Sequence, residues 1–227
     1  MVSMIPAGCA NHLPLMVFFN LMHITLTDLA AMPRIPRLTL INSITGFKSA
    51  NLIGTISGNK VPNLAMFSSA IHLGSDPALI GLVTRPVDGA LKTTRHTYQN
   101  IRETGFFTIN HAGLSFIREA HQTSASYPDG VSEFEVTGLT TEYSALIPAP
   151  YVAESTIKMG LEYVEEYAIK ANGTILFIGK VVELFLPDAC LDDNGNLNLQ
   201  EAGTAALSGL DTYYAVAQVA RLAYARV

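Results

Sequence analysis

Residues Ile157-Lys158-Met159-Gly160-Leu161-Glu162-Tyr163-Val164-Glu165-Glu166-Tyr167-Ala168-Ile169 lead through Lys170-Ala171-Asn172-Gly173 into Thr174-Ile175-Leu176-Phe177-Ile178-Gly179-Lys180-Val181-Val182-Glu183-Leu184-Phe185-Leu186. In the first run Ile157, Met159, Leu161 and Tyr163 share one face of a two-residue repeat, and Lys158, Glu162 and Glu166 lie on the other. The second run is apolar on both faces, which predicts a central strand covered on two sides. Asn172-Gly173 reaches positive φ at little cost and predicts the hairpin turn between them.

Working outward, the same repeat predicts strands at Leu38–Ser43, Asn51–Ser57, Leu64–Ala70, Leu79–Thr84 and Phe106–Asn110, with a turn at Ser57-Gly58-Asn59-Lys60. Helical patterns are few. Thr97–Thr104 ends at Gly105, Ser115–Thr123 has Ser115 as candidate N-cap, and Asp211–Tyr224 has Asp211 in that role. Many short strands with helices at the margins imply a closed or partly closed β-barrel.

The chain has 227 residues, 49% hydrophobic and 15% charged, enough for one domain with a real core. A net charge of -5 without a basic stripe argues against a nucleic-acid partner. No apolar run reaches the roughly 20 residues that span a bilayer, so no membrane partner is expected. Cys9 and Cys190 form no disulfide framework, and a reducing cytoplasmic location is the simplest expectation. The apolar stretch Leu13–Phe19 follows no Lys or Arg, unlike a secretory signal. Residues 1–30 are therefore expected to be an N-terminal extension outside the fold, with Met22 a candidate natural start, and 31–227 the barrel domain.

Among chemical motifs, the glycine fingerprint of dinucleotide folds, the phosphate loop of nucleotide hydrolases and metal-ligand histidine spacings do not occur, so no metal is expected. Asp192-Asp193-Asn194-Gly195-Asn196 lacks the glycine and the final glutamate of a calcium loop and reads as a turn. Arg95-His96-Thr97 stands where a helix begins, with Lys92, Thr93 and Thr94 upstream. Cations, hydroxyls and free helix N–H groups converging there suit a phosphate; an ordinary capped helix with a basic flank uses the same residues. Asn63-Leu64-Ala65-Met66-Phe67-Ser68-Ser69 ends in two small polar residues, which let a planar ring approach the backbone; a half-buried strand with serines on its wet face reads the same way.

These segments, with their neighbours, carry a resemblance. Asn63-Leu64-Ala65-x-Phe67-Ser68-Ser69, His72-x-Gly74-Ser75-x-Pro77, Arg85-Pro86, Arg95-His96-Thr97-Tyr98-x-Asn100-Ile101 and Thr108-Ile109-Asn110-His111 follow one another in order. So do His121-Gln122-Thr123-Ser124-Ala125, Ser132-Glu133-Phe134-Glu135, Ala149-Pro150-Tyr151-Val152-x-Glu154-Ser155, Gly173-Thr174-Ile175-Leu176 and Gly209-Leu210-Asp211-x-Tyr213-Tyr214. Across about residues 35–225 the chain resembles the flavoredoxin branch of the flavin reductase-like FMN-binding split barrels. The resemblance implies a mainly β fold, a six-stranded antiparallel Greek-key split barrel with a few peripheral helices. It also implies a homodimer with FMN at or near the subunit interface.

By that resemblance the isoalloxazine ring lies along Asn63 and Met66, Phe67, Ser68 and Ser69, and Arg95, His96 and Thr97 hold the phosphate. Arg85, Asn110 and His111 are further cofactor-binding candidates; each also reads as an ordinary strand-end residue. His121, Ser124 and Tyr127 read as a pocket wall or as a plain helix exit. Glu154 and Ser155 read as a turn, and Tyr213 and Tyr214 as packing residues. The implied activity is an FMN-dependent oxidoreductase passing electrons from NAD(P)H to free flavin, iron or a redox protein. Hydride transfer needs no side-chain acid or base, so no catalytic residue is assigned. A non-enzymatic FMN electron carrier and an FMN-binding regulatory module are the alternatives.

If Arg95 grips the phosphate through two oxygens, Arg95→Ala should weaken FMN binding by roughly one to two decades, the equivalent of a charge-assisted bond of about 1.5–3 kcal/mol. Riboflavin, which lacks the phosphate, should bind almost unchanged. Equal losses for both ligands, measured by flavin fluorescence quenching, would assign Arg95 to the fold or the ring pocket instead.

Overall fold

The computed structural model describes residues 20–85 and 96–226. Two units are distinguished, residues 1–38 and 39–227. In the first, helix α1 (Leu26–Ala31) opens on a capping box in which Thr25 Oγ accepts from the Asp28 N–H and the Asp28 carboxylate accepts from the Thr25 N–H. Helix α2 covers Arg34–Ser43, so the strand expected at Leu38–Ser43 is a helix. Pro36 suits a first helical turn, and Leu40 and Ile44 are linked by the i to i+4 bond of a helix rather than by strand pairing.

The barrel unit is built from β1 (Lys48–Ser49), β2 (Asn51–Ile56), β3 (Pro62–Phe67), β4 (Ala70–Ser75), β5 (Ala78–Thr84), α3 (His96–Thr104), β6 (Phe106–His111), α4 (Ile117–Gln122), α5 (Glu133–Thr137), β7 (Thr141–Glu142), β8 (Tyr151–Val152), β9 (Lys158–Ile169), β10 (Thr174–Phe185), β11 (Ala205–Ser208) and β12 (Thr212–Ala215). Seven strands pair antiparallel in the order β3-β2-β6-β9-β10-β5-β4. The two outermost strands, β3 and β4, are joined by only Ser68 and Ser69. A flat seven-stranded sheet would hold its edges roughly 28 Å apart, a span two residues do not bridge. The sheet must curl, and the result is a mainly β split barrel. It has one strand more than expected because the run expected as a single strand, Leu64–Ala70, breaks at the two serines into β3 and β4.

Side chains from every part of the curl fill the interior: Ile53, Leu82, Phe107, Ile109, Leu161 and Phe177 are buried, joined by Ile101 and Tyr98 of α3. The outer face of β2, β3 and β6 is buried under a second layer that includes Phe116, Ala120, Phe134 and Leu207. Covered on both sides, β2 is buried at all six positions. The long hairpin forms as expected, with Gly173 at φ 73° between β9 and β10. Phe177 and Ile178 are buried as the apolar run implied, but Leu184 near its end is 54% exposed.

Two helix expectations are corrected. Ser115 caps nothing; it sits in a 3-10 turn, Leu114–Phe116, and α4 starts at Ile117. Asp211–Tyr224 is not a helix: Thr212–Ala215 forms β12 against β11, and residues 216–226 carry no regular secondary structure. The alternating contacts explain the strand. Tyr213 reaches His121 of α4, while Tyr214 sets its ring edge-on to Phe47, centroids 4.8 Å apart. Among the described residues no helix is long and apolar enough to cross a membrane.

At Gly54 of β2, a Cβ would lie 2.1 Å from the Pro150 carbonyl oxygen and 2.4 Å from Thr108 Oγ, two atoms that are themselves hydrogen-bonded. Backbone cannot yield there as a flexible side chain would. Gly54→Ala should therefore cost roughly 2–3 kcal/mol, read as a lower urea midpoint with an unchanged slope. Wild-type stability in that variant would show that the packing of β2 against Pro150 and Thr108 is looser than this geometry.

Candidate functional site

The seam of the barrel is where the chain leaves an edge strand unpaired. Among the described residues β3 pairs with a strand, β2, on one side only. On its other side the Leu64 N–H is capped by the carboxylate of Glu133, at 2.9 Å, from the first turn of α5. By the two-residue repeat of a strand, the Met66 N–H points the same way as that of Leu64. Beyond Phe67, Ser69 ties the seam to β5: its hydroxyl donates to the Val83 carbonyl at 2.6 Å and its carbonyl accepts from the Val83 N–H.

A cavity of about 890 Å³ opens along this seam. Its floor is Asn63, Ala65, Met66, Phe67, Ser68 and Ser69, with Val83, Thr84 and Arg85 beside them. His96 and Thr97, the start of α3, close one end. His121 and the segment Thr123–Asp129 form a facing wall, and Leu207, Leu210 and Asp211 a further side. The volume falls in the ~300–1,000 Å³ range of small-molecule sites.

Thus Asn63, Met66, Phe67, Ser68, Ser69, Arg85, His96 and Thr97 are brought to one cavity from segments up to 34 residues apart in the chain. Arg95 lies outside the described residues. Asn110 and His111 do not line the cavity. Asn110 is fully buried and its amide is spent on the fold: it donates to the Leu52 carbonyl and Thr108 Oγ and accepts from the Val152 N–H. His111 is half-buried at the end of β6, where desolvation lowers its imidazole pKa to about 4, so it stays neutral.

Several polar groups hold the site in shape. Asn63 Nδ2 donates to both Thr55 Oγ and Thr97 Oγ, each at 3.3 Å, which fixes the N-terminus of α3 against β3. Asn100, one turn into that helix, donates to the same Thr55 hydroxyl at 3.0 Å. His96 Nε2 meets Asp129 Oδ1 at 2.7 Å, which orients the ring at the cavity's end. His121 Nδ1 lies 2.8 Å from Tyr213 Oη, with the two rings edge-to-face. Of the other weighed residues, Ser124 and Tyr127 line the wall. Glu154 accepts from the Thr140 N–H and Ser155 donates to the His111 carbonyl, both structural duties.

Glu133 is the site residue that sequence reasoning did not single out. It is 5% exposed, lines the cavity and has its carboxyl pKa raised, chiefly by burial, against the opposing pull of the Leu64 N–H and of His96. Its role depends on β3 being an edge strand 69 residues away, and no local pattern announces that. The Asp192 loop behaves as a turn: its carboxylate accepts from the N–H groups of Asn194 and Asn196 and pairs with Arg221.

With this geometry in view, three solved structures are informative. A split-barrel protein of the flavin reductase type from Shewanella frigidimarina NCIMB 400 is 44% identical and superposes with a TM-score of 0.85, covering 90% of this chain and 100% of that one. Nitrilotriacetate monooxygenase component B from Bacillus cereus, 19% identical, gives 0.76 over 89% of this chain and 98% of its own. Flavoredoxin of Desulfovibrio vulgaris (Miyazaki F), 24% identical, gives 0.68 over 79% and 92%; these last two are likenesses of fold alone. The sequence pattern of the flavin reductase like domain matches residues 46–203, the span that carries the curled sheet, its seam and most of the cavity lining, and the chain therefore belongs to the flavin reductase like domain family.

Proposed function

We propose that the cavity at the seam binds FMN and that the protein is an NAD(P)H-dependent oxidoreductase working as a homodimer. The observation that carries this reading is the donor set of one cavity. Neutral hydrogen-bonding groups and small serines of the strand end line it together with a helix N-terminus that carries a histidine. A polar edge for a planar ring and an anion site in one cavity are the two features a flavin mononucleotide needs. Bound flavin supplies the hydride and electron chemistry; the protein supplies position and electrostatics.

In this reading the chain's own residues divide the work. The Met66 N–H and the serines meet the polar edge of the ring, and the size of Ser68 and Ser69 lets the ring lie close to the backbone. Thr97 and the N-terminus of α3 receive the phosphate, with the upstream Arg95 adding charge and His96 a hydrogen bond. Glu133 keeps the Leu64 N–H satisfied, so the edge strand is held in place while Met66 remains available. Nicotinamide delivers electrons to the flavin, and free flavin, iron or a redox protein takes them away.

The dimer reading has its own support. Ile71 and Leu73 of β4 converge with Leu176 of β10 over the space above Gly81. Tyr167 of β9 stands opposite Leu176 in register. Ile71, Leu73 and Tyr167 are 45%, 41% and 53% exposed, an apolar strip on one sheet face that a second copy would cover.

Heat or acid should release from the purified protein a yellow compound co-eluting with FMN, and anaerobic NADH or NADPH should bleach the bound flavin. An apoprotein that takes up no flavin overturns the binding reading. Bleaching by a reduced redox protein but by neither nicotinamide would make the protein an electron carrier.

Light scattering should give about twice the 24.4 kDa chain mass. Leu73→Glu, which buries a charge in the proposed interface, should shift the mass toward one chain. A flavin-loaded monomer in the unaltered protein would overturn the dimer.

A further inference from the structure

Among the described residues Glu133 is the one carboxylate in the lining of the larger cavity that is buried; Asp129 and Asp211 are exposed. Backbone N–H groups of Leu64, at 2.9 Å, and of Glu133 itself donate to it. None of the ion pairs among the described residues includes it. A carboxylate offers about four acceptor positions, so roughly half of its capacity is left to whatever occupies the cavity. A charge buried in that way is costly unless a donor answers it.

Contacts along β3 say which part of a ligand would pass there. At Asn63 the strand is tied to Thr97, where the proposed site receives the phosphate. At Leu64 it meets Glu133. Met66, proposed to meet the ring, has its N–H about 7 Å further along the strand. A chain joining ring to phosphate over this strand therefore runs past Glu133. The parts of the proposed ligand also differ in what they offer a carboxylate. Phosphate is an anion and is repelled. The polar edge of a flavin ring is carbonyl oxygens and ring nitrogens, which accept, with a single imide N–H. The ribityl chain is a row of hydroxyls, each able to donate.

We infer that Glu133 is a specificity-determining residue that accepts hydrogen bonds from the ribityl hydroxyls, so that the site selects a flavin by its polyol chain as well as by its ring and phosphate. The inference rests on the flavin reading above and deepens it. The carboxylate then has two duties: Oε2 holds the Leu64 N–H of the edge strand, and the remaining lone pairs serve the ligand.

The test compares riboflavin with lumiflavin, which carries the same ring with a methyl group in place of the ribityl chain. Binding to the apoprotein is followed by fluorescence quenching in the full chain and in Glu133→Gln. The glutamine keeps a carbonyl for the Leu64 N–H and replaces a charged acceptor by a donor. The unaltered chain should bind riboflavin more tightly than lumiflavin. Glu133→Gln should weaken riboflavin about tenfold and leave lumiflavin within about twofold, with a urea midpoint no lower than that of the unaltered apoprotein. Riboflavin bound no more tightly than lumiflavin by the unaltered chain, or no loss of riboflavin in the variant, would overturn the inference. Equal losses for both flavins would do the same, by assigning Glu133 to the ring or the fold. Where lumiflavin binds too weakly to titrate, the urea midpoint decides, and a lowered value assigns Glu133 to the fold alone. A chain that takes up FMN but fails these comparisons keeps the flavin reading and loses this one; a chain that binds none of the three flavins removes the flavin reading itself.

Discussion

Ser69 holds the two edges of the sheet to one another. It lies in the two-residue link between β3 and β4, and both its backbone carbonyl and its hydroxyl bond to Val83 of β5. Because that link is short, the strands at opposite ends of the pairing order must meet, and a seven-stranded sheet closes on itself except along one seam. The interior packing of Ile53, Phe107, Leu161 and Phe177 follows from the curl, and so does the location of the site. Backbone groups of β3 that a neighbouring strand would have taken are left facing a cavity. The same constraint that makes the barrel supplies the unsatisfied donors that a ligand can use.

The edge strand carries a risk that the surrounding residues answer one group at a time. Leu64 N–H is answered by Glu133, brought in on a five-residue helix. The side chain of Asn63, within β3, ties the strand to Thr97 of α3 and Thr55 of β2. A buried carboxyl is a costly way to satisfy an N–H, and burial pushes its pKa up accordingly. Since the folded-state pKa is raised, ionising Glu133 opposes folding: its contribution is most favourable below its ordinary value of 4.5 and is lost as the pH rises through the raised one. Retaining such a residue at the rim of a cavity is easier to understand if the strand it holds must stay open to a ligand.

Much of this was legible from local pattern. The hairpin of β9 and β10, the strands β2, β5 and β6, and the helix ending at Gly105 all follow from alternation and turn chemistry, which are short-range signals. The cavity floor was not legible in this way, because strand-end serines and a basic helix start read equally as an ordinary strand and an ordinary capped helix; the resemblance, not local pattern, grouped Asn63, Met66, Phe67, Ser68, Ser69, His96 and Thr97, which line one cavity. Leu38–Ser43 and Asp211–Tyr224 have apolar spacings compatible with either period: the first continues a helix begun at Arg34 and buries none of its residues, while in the second Tyr213 against His121 goes with a strand over Thr212–Ala215 alone. Asn110 resembled a ligand residue because it ends a strand, yet its amide is fully engaged by Leu52, Thr108 and Val152. Strand position alone does not tell which side of a barrel wall a side chain serves.

The position of α3 brings the ring end and the anion end of the site into one frame. His96 and Thr97 line the cavity, while Tyr98 and Ile101 pack into the barrel interior. The helix is therefore anchored by the same core that the seam forces to close. Asn100 and Asn63 meet on one hydroxyl, Thr55 of β2, so the helix N-terminus and the cavity floor are both referred to the strand buried at every position. A ligand spanning floor and helix would contact two elements whose separation is set by the core rather than by loops. Such a site loses little conformational freedom on binding, which is the condition under which modest polar contacts produce useful affinity.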